Sequence, residues 1–479
     1  MKSIWKNEIA MPDKKTLSTD REVDIAVIGA GMTGILTAYL LQQQGREVIV
    51  LEGDRIASGQ TGNTTAKITS QHGLKYDTLI RTYGKNRARL YAKANEEAIR
   101  MYQKIVAEQG IECDFERLSA FLYSTQNKEA LLQEAKAAVQ LGLPASFVEQ
   151  VALPFETVGA VEFENQAQFH PVKFILHLAG QLEIYEKTMV HTVKGHTIIT
   201  SRGNVKANHI VFAVHYPFTI LTGAYFLRQH QERSYVVAYK DAGNLHGMYY
   251  SIEEDGLSFR NYKDYLLIGG GKHRTGRKEE GGSYAAIRQK AKYYFPESRE
   301  IANWSAQDCM THDKLPLIGT YSVFRPYWYV ATGFQKWGMT NAMISAMIIR
   351  DGICGVKNPY EDLFSPKRWH PLASAGNFLT DIGVSVKGLL TGYHFFTEKK
   401  EEDLECGHGG IVRKGLRRYG CYRDEEGKLH RVDIRCTHMG CELLWNSEER
   451  TWDCPCHGSR FDYDGNLIDN PAKRSKGKE

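Results

Sequence analysis

Residues 23–52 read VDIAVIGAGMTGILTAYLLQQQGREVIVLE, and their pattern decides the fold. Val23 to Gly29 is an apolar run of the kind found in a buried parallel strand, and it runs straight into a glycine-rich turn. Helical spacing follows over Ile35 to Gln44, then a second strand over Glu47 to Glu52, which completes a βαβ unit. The turn is Gly29-Ala30-Gly31-Met32-Thr33-Gly34, a GxGxxG between strand and helix. Gly29 permits the tight turn, Gly31 lets the backbone approach a pyrophosphate, and Gly34 lets the helix pack close to the strand. The helix N-terminus that follows presents free N–H groups and a positive dipole end to phosphate, and Met32 and Thr33 of the turn are counted with the cofactor-binding residues. Glu52 ends the second strand, where a carboxylate accepts hydrogen bonds from an adenosine ribose. An acid there favours FAD or NAD over a 2′-phosphorylated cofactor.

The rest of the chain bounds the reading. At about 150 residues per domain, 479 residues suggest about three domains. There are 61 Lys plus Arg against 56 Asp plus Glu, a net charge of +5, which over this length gives no nucleic-acid-binding footprint. With 42% hydrophobic and 24% charged residues, the composition is that of a soluble globular chain, not a disordered one. The N-terminus carries no signal-peptide pattern, and no apolar run is long enough to cross a membrane, so a cytoplasmic location is expected. Residues 1–22 read as a polar arm, Ser58 to Ser70 as a long Gly/Ser/Thr loop, 75–110 and 127–141 as helices, and about 146–275 as strand-rich. A further helix is expected over Thr340 to Gly352. Residues 371–403 read as a connector with one amphipathic helix, and from 404 the texture changes to short strands with clustered Cys and His.

Residues 22–370 resemble the D-amino-acid oxidase and glycine oxidase family of flavoproteins. The resemblance is carried by residues 23–52 and by separated motifs in the family's order. Arg55 and GQTGNTTAKIT (59–69) resemble the segment against the pyrophosphate and flavin ring, with Thr65, Ala66 and Lys67 at the ring. HPVKFILHLAG (170–180) resembles a family helix, and KTMVHTV (187–193) a strand whose Val190 meets the adenine through its backbone. NHIVFAVHYP (208–217) resembles a further strand, with Val214-His215 replacing the usual Thr-Gly, and HDKLPLIG (312–319) resembles a family turn. ATGFQKWGMTNA (331–342) resembles the turn that closes over the flavin, through Gly333, Trp337, Gly338 and Met339, with Lys336-Trp337 in place of Gly-His. The resemblance implies an α/β and α+β architecture. A Rossmann-like FAD-binding lobe (about 22–80, 150–220 and 305–365) would interleave with a β-rich substrate lobe (about 81–149 and 221–304).

Near the C-terminus stand Cys436-Thr-His438-Met-Gly-Cys441 and Cys454-Pro-Cys456-His457-Gly-Ser459. Zinc sites favour other spacings. This C-x-H and C-x-x-H pair resembles a Rieske [2Fe–2S] domain, a small all-β unit expected over 404–475. The resemblance implies that Cys436 and Cys454 hold one iron and His438 and His457 the other. Rieske proteins of the respiratory cytochrome bc type join the cysteines matching Cys441 and Cys456 in a disulfide, and the same pairing is expected here. Ser459 matches a serine that donates to a bridging sulfide. Phe461 stands where high-potential members carry a Tyr that bonds a cysteine sulfur, so the potential is expected below the top of the span of about −150 to +300 mV. Cys113, Cys309, Cys354, Cys406 and Cys421 are expected to be buried, inert thiols, and His215, His273 and His312 to be structural.

Together these resemblances imply a two-cofactor oxidoreductase. A small-molecule substrate, an amine or amino acid, would lose hydride from its C–N carbon to flavin, and single electrons would pass between flavin and the cluster. A dehydrogenase with an external redox protein partner fits a fused Rieske domain better than an oxidase does. An electron-transfer module without its own substrate, or a redox sensor gating the flavin lobe, are the alternatives. Arg260, Lys272 and Tyr249 are candidates for the substrate lobe, weighed against an ordinary solvated role.

Overall fold

The computed structural model describes residues 3–219, 222–277, 281–368, 400–415 and 417–476. Most of the expected connector, with its amphipathic helix, lies outside them.

The βαβ unit forms the centre of an eight-stranded sheet. Strand Arg21–Ile28 pairs in parallel with Val48–Leu51 on one side and Asn204–Phe212 on the other. Glu183–Tyr185 and Arg325–Thr332 extend the sheet in parallel, and Leu317–Ser322 closes one edge antiparallel. Successive side chains point to opposite faces. Ile25 and Val27 therefore enter one core and Ala26 and Ile28 another. This explains why the strand reads as a continuous apolar run: both its faces are covered. The helix Met32–Gln42 is buried from Met32 to Leu41 between this sheet and the helix Gly338–Ile353. It begins inside the glycine motif, three residues earlier than its apolar spacing suggests.

A nine-stranded sheet forms the second layer. Its longest members, Gln229–Lys240 and Arg299–Thr311, run antiparallel with Val236 opposite Trp304. The sheets divide the chain differently from the expected lobe boundaries. Lys67–Ile68, Gly159–Gln168 and residues 305–311 of the strand Arg299–Thr311 belong to this second sheet, with Gly159–Gln168 pairing along the length of Glu116–Ser124.

The N-terminal arm is not a loose polar segment. Ser3, Ile4 and Trp5 are buried, and Trp5 makes edge contacts with His170 and Tyr262. The C-terminal domain is all-β, with a three-stranded sheet (Gly409–Lys414, Arg417–Arg423, Leu429–Val432) and a four-stranded one (Leu444–Asn446, Thr451–Asp453, Arg460–Asp462, Leu467–Asp469). Trp445, Trp452 and Phe461 fill its core. No helix among the described residues is long and apolar enough to cross a membrane.

Candidate active site and iron–sulfur centre

The glycine turn forms a cradle whose shape follows from missing side chains. Gly29 has φ +105°, and a Cβ there would lie 2.5 Å from the Ala213 carbonyl oxygen. A Cβ on Gly34 would lie 1.8 Å from the Gly29 carbonyl oxygen, so the helix can approach the strand only with glycine at that position. Thr61 Oγ1 accepts from Met32 N at 2.8 Å, which ties the long loop to the helix start. Glu52 holds the turn from the far side, accepting from Ala30 N at 2.7 Å and Asp54 N at 2.9 Å. Burial pushes its carboxyl above the ordinary range, against those two backbone donors.

This cradle opens into a cavity of about 1410 Å³. Its lining includes Gly29, Gly31, Met32, Thr33, Glu52 and Val190. Thr65, Lys67, Gly333, Trp337, Gly338 and Met339 line it too. Ala66 is buried behind the wall, and Gly34 lies beneath the turn. Arg55 is absent from the lining, and its guanidinium pairs with Asp13 at 2.6 Å. A cavity of this size, with a side-chain-free glycine cradle and the Glu52 carboxylate in its wall, fits a dinucleotide.

Three side chains strap the loop at 63–66. Trp5 Nε1 donates to Thr64 O at 2.7 Å and Trp304 Nε1 to Asn63 O at 2.8 Å. Arg260 Nη1 donates to Ala66 O at 2.8 Å and also reaches Thr65 O. Arg260 is fully buried and lies over the Trp5 ring, so it is neither a solvated residue nor part of the substrate pocket. Tyr249 is also buried, donating to Leu245 O and stacked on Phe121. Of the three lobe candidates only Lys272 lines the cavity. Lys67 Nζ donates to Tyr249 O at 3.1 Å, and burial, then Arg260, lowers its pKa to about 7.

The turn at 333–338 is shaped by Gly333 and by the side chains of Lys336 and Trp337. Gly333 has φ +76°, and a Cβ there would meet Thr311 Cγ2 at 2.2 Å. Trp337 stacks on His72 with ring centres 4.6 Å apart. His72 is buried, which holds its imidazole neutral, between Tyr91 OH and Thr69 O. Lys336 sits in left-handed backbone at φ +71°, and its Nζ pairs with Glu232 at 2.8 Å. Asp308 shares this wall, and burial raises its pKa to about 6 despite Lys336. Glu232 and Asp308 carried no signal in the sequence, because isolated acids in strands have no spacing to reveal them.

The two Cys/His boxes form matched turns. Gly440 N donates to Cys436 O and Gly458 N to Cys454 O, both at 2.9 Å, and Cys436 N and Cys454 N are each held at 2.8 Å by carbonyls of their own loops. Cys441 and Cys456 are joined in a disulfide spanning 15 residues. Their sulfurs lie near that of Cys454, but, bonded to each other, they are not metal ligands. Cys436 and Cys454 face each other closely enough that each is the main cause of the other's shift, Cys436 downward and Cys454 upward. The rings of His438 and His457 lie 5.0 Å apart. His438 Nδ1 is buried without a hydrogen-bond partner among the described residues, and burial lowers its pKa to about 4, which leaves a neutral nitrogen available as a ligand. Two thiols and two imidazoles converging in this way fit a [2Fe–2S] cluster of Rieske type. Phe461 is buried in the core and offers no hydroxyl. Among the remaining cysteines Cys113, Cys309 and Cys421 are buried, Cys354 is half-buried, and Cys406 is exposed, contrary to expectation.

The C-terminal domain docks on the flavoprotein with its second box inward. Gln231 Nε2 donates to His457 O at 2.6 Å, and Gln307 Nε2 donates both to Gly458 O at 2.8 Å and to Gln231 Oε1 at 2.6 Å. Both glutamines are buried. His215 is half-buried beside them, its Nε2 donating to Gln231 Oε1 at 3.2 Å. Beside this clasp, Arg233 pairs with Glu449 and Asp469, which also face Arg460.

Comparison with known proteins agrees with both halves. Residues 24–351 match the FAD dependent oxidoreductase family and residues 398–476 the Rieske [2Fe-2S] domain. A putative Rieske 2Fe-2S iron-sulfur protein, YhfW, of Bacillus subtilis (strain 168) is 37% identical, covering 98% of this chain and 96% of its own. Gamma-glutamylputrescine oxidoreductase of Escherichia coli (strain K12) is 24% identical over 41% of this chain and 50% of its own. The fold is similar to that of glycine oxidase from Geobacillus kaustophilus, with TM-score 0.63 and 17% identity over 73% of this chain and all of that one. The chain therefore belongs to the FAD dependent oxidoreductase family and carries a C-terminal Rieske domain, with FAD and one [2Fe–2S] cluster as its cofactors.

Proposed function

We propose that this FAD-dependent oxidoreductase oxidises a C–N bond in a small amine or amino acid as a dehydrogenase, with electrons passing singly between FAD and the Rieske cluster and onward to a redox protein. FAD supplies an acceptor that takes two electrons and can exchange one at a time, and the cluster a one-electron carrier. The observation that carries the reading is the shared wall. Asp469, Asn470 and Lys473 of the Rieske domain line the same cavity as Gly29, Lys67 and Trp337, and the His457 loop is clasped beside it by Gln231 and Gln307.

The chain's own residues account for the remaining requirements. An amine loses hydride only as the neutral base, so an ammonium substrate must first give up a proton. Lys67 Nζ, near pKa 7, and the Asp308 carboxyl, near 6, both line the cavity and accept protons close to neutral pH. Lys336, paired with Glu232, presents a fixed positive charge to an anionic substrate group.

The test is anaerobic mixing of the holoprotein with a panel of amines and amino acids, followed by optical and EPR spectra. The reading expects flavin bleaching by at least one compound, with the cluster signal appearing on the same timescale. If every amine leaves the flavin oxidised and only a redox protein reduces it, the chain is an electron-transfer module without a substrate of its own.

A further inference from the structure

The segment Asp469 to Lys473 touches both halves of the molecule at positions that matter to each. On the flavoprotein side three of its side chains, those of Asp469, Asn470 and Lys473, bond next to residues of the dinucleotide cradle. Gln60 Nε2 donates to Asp469 Oδ1 at 3.1 Å, and Gln60 precedes Thr61, which holds the Met32 amide. Asn470 Nδ2 donates to Val214 O at 2.6 Å and Tyr216 O at 2.9 Å, just beyond Ala213, whose carbonyl oxygen requires glycine at 29. Lys473 Nζ donates to His191 O at 2.7 Å, the neighbour of Val190.

On the cluster side the same segment braces both boxes. Ala472 N donates to Ser459 Oγ at 2.9 Å, and Thr437 Oγ1 donates to Arg474 O at 2.9 Å. Thr437 lies between Cys436 and His438, and Ser459 lies two residues beyond His457. The backbone of 469–474 thus ties the cradle to the cluster loops, and Asp469, Asn470, Ala472 and Lys473 line the dinucleotide cavity directly.

We propose that this segment of the Rieske domain is a working part of the FAD site: it closes the rim of the dinucleotide cavity, so that retention of FAD and retention of the cluster are coupled. Coupling of this kind is reciprocal. If the braced cluster loops hold the rim closed and so favour bound FAD, bound FAD must favour the cluster by the same factor. The proposal rests on the cavity being the FAD site and is independent of which way electrons flow.

The experiment uses the full-length holoprotein and reads FAD release as the rise of free-flavin fluorescence after dilution. The double variant Asn470→Ala/Lys473→Met, with its cluster EPR signal intact, should release FAD about tenfold faster, equivalent to about 1.4 kcal/mol. If the double variant does not fold, Lys473→Met alone is read in the same way, with acceleration of at least about threefold expected, or roughly 0.65 kcal/mol. Removing FAD from the wild type should hasten cluster loss to a chelator, followed by decay of the EPR signal. Release within about twofold of wild type in a variant that keeps its cluster, a difference under about 0.5 kcal/mol, overturns the proposal, as does cluster loss indifferent to FAD. A wild type that binds no FAD refutes the reading of the cavity instead.

Discussion

Arg233→Met tests how the two halves are held together. Arg233 is 1% exposed on the flavoprotein strand Gln229–Lys240. Its guanidinium lies 3.2 Å from Glu449 and 3.8 Å from Asp469, both in the Rieske domain. Removing one partner of a buried pair costs about 3–5 kcal/mol when the other is left without a donor. Here donors remain: Glu449 keeps Ser305 Oγ at 2.6 Å and Tyr284 OH at 2.9 Å, and Asp469 keeps Arg460 at 3.0 Å. The expected loss is therefore smaller, about 2–3 kcal/mol. It has a pH signature. Burial pushes both carboxyls upward, but Arg233 and Arg460 more than offset it, so both titrate below the ordinary range in the folded protein. A depressed folded pKa gives stabilisation that is complete above the unfolded value, about 4, and disappears as pH falls through the folded value. Without Arg233 the folded values move back toward the unfolded one, so the variant has less of this stabilisation to lose in acid. Urea unfolding of wild type and variant at pH 7 and pH 3 reads both effects: a gap of about 2–3 kcal/mol at neutrality that narrows in acid. A gap under about 1 kcal/mol at pH 7, or an equal gap at both pH values, refutes the reasoning.

Three further outcomes are expected. Trp5→Ala removes a fully buried ring and the hydrogen bond to Thr64 O; it should cost about 3–5 kcal/mol in urea unfolding and weaken FAD binding measured by flavin fluorescence. Replacing Cys441 and Cys456 by Ala opens a 15-residue loop; the Rieske domain should lose about 3 kcal/mol, with earlier thermal bleaching of the cluster and loss of the cross-link in mass spectra of unreduced protein. Asp308→Asn tests a carboxyl raised to about 6 on the cavity wall. In the wild type its ionisation becomes a cost as pH rises through 6, so the variant should gain about 1–2 kcal/mol relative to wild type between pH 5 and pH 8 by thermal unfolding, after allowance for solvent in the cavity.

How legible each site was in the sequence depended on whether its constraint is local. The GxGxxG turn and the Cys/His boxes are made by backbone within a few residues, so spacing alone exposes them. The turn at 333–338 was legible in its glycines but not in Lys336, whose partner Glu232 lies about a hundred residues away in another strand. Arg260 and Tyr249 looked like polar residues of a half-solvated sheet. Burial under the loop at 63–66 turned one into a strap and the other into core. The arm looked polar because Ile4, Trp5, Ile9, Met11 and Leu17 are too scattered to show a period, yet they anchor it.

The sequence by itself determined the dinucleotide fold and the Cys and His boxes of the iron–sulfur centre, because each follows from short-range geometry that fixed spacing encodes; FAD as the dinucleotide came from the resemblance of several separated motifs. Only the tertiary structure decided that Gln231 and Gln307 clasp the His457 loop, that Arg233 meets Glu449, and that residues 469–473 line the dinucleotide cavity. Those contacts join positions more than 140 residues apart, and no local pattern records a pairing that exists only once two separately folded surfaces meet.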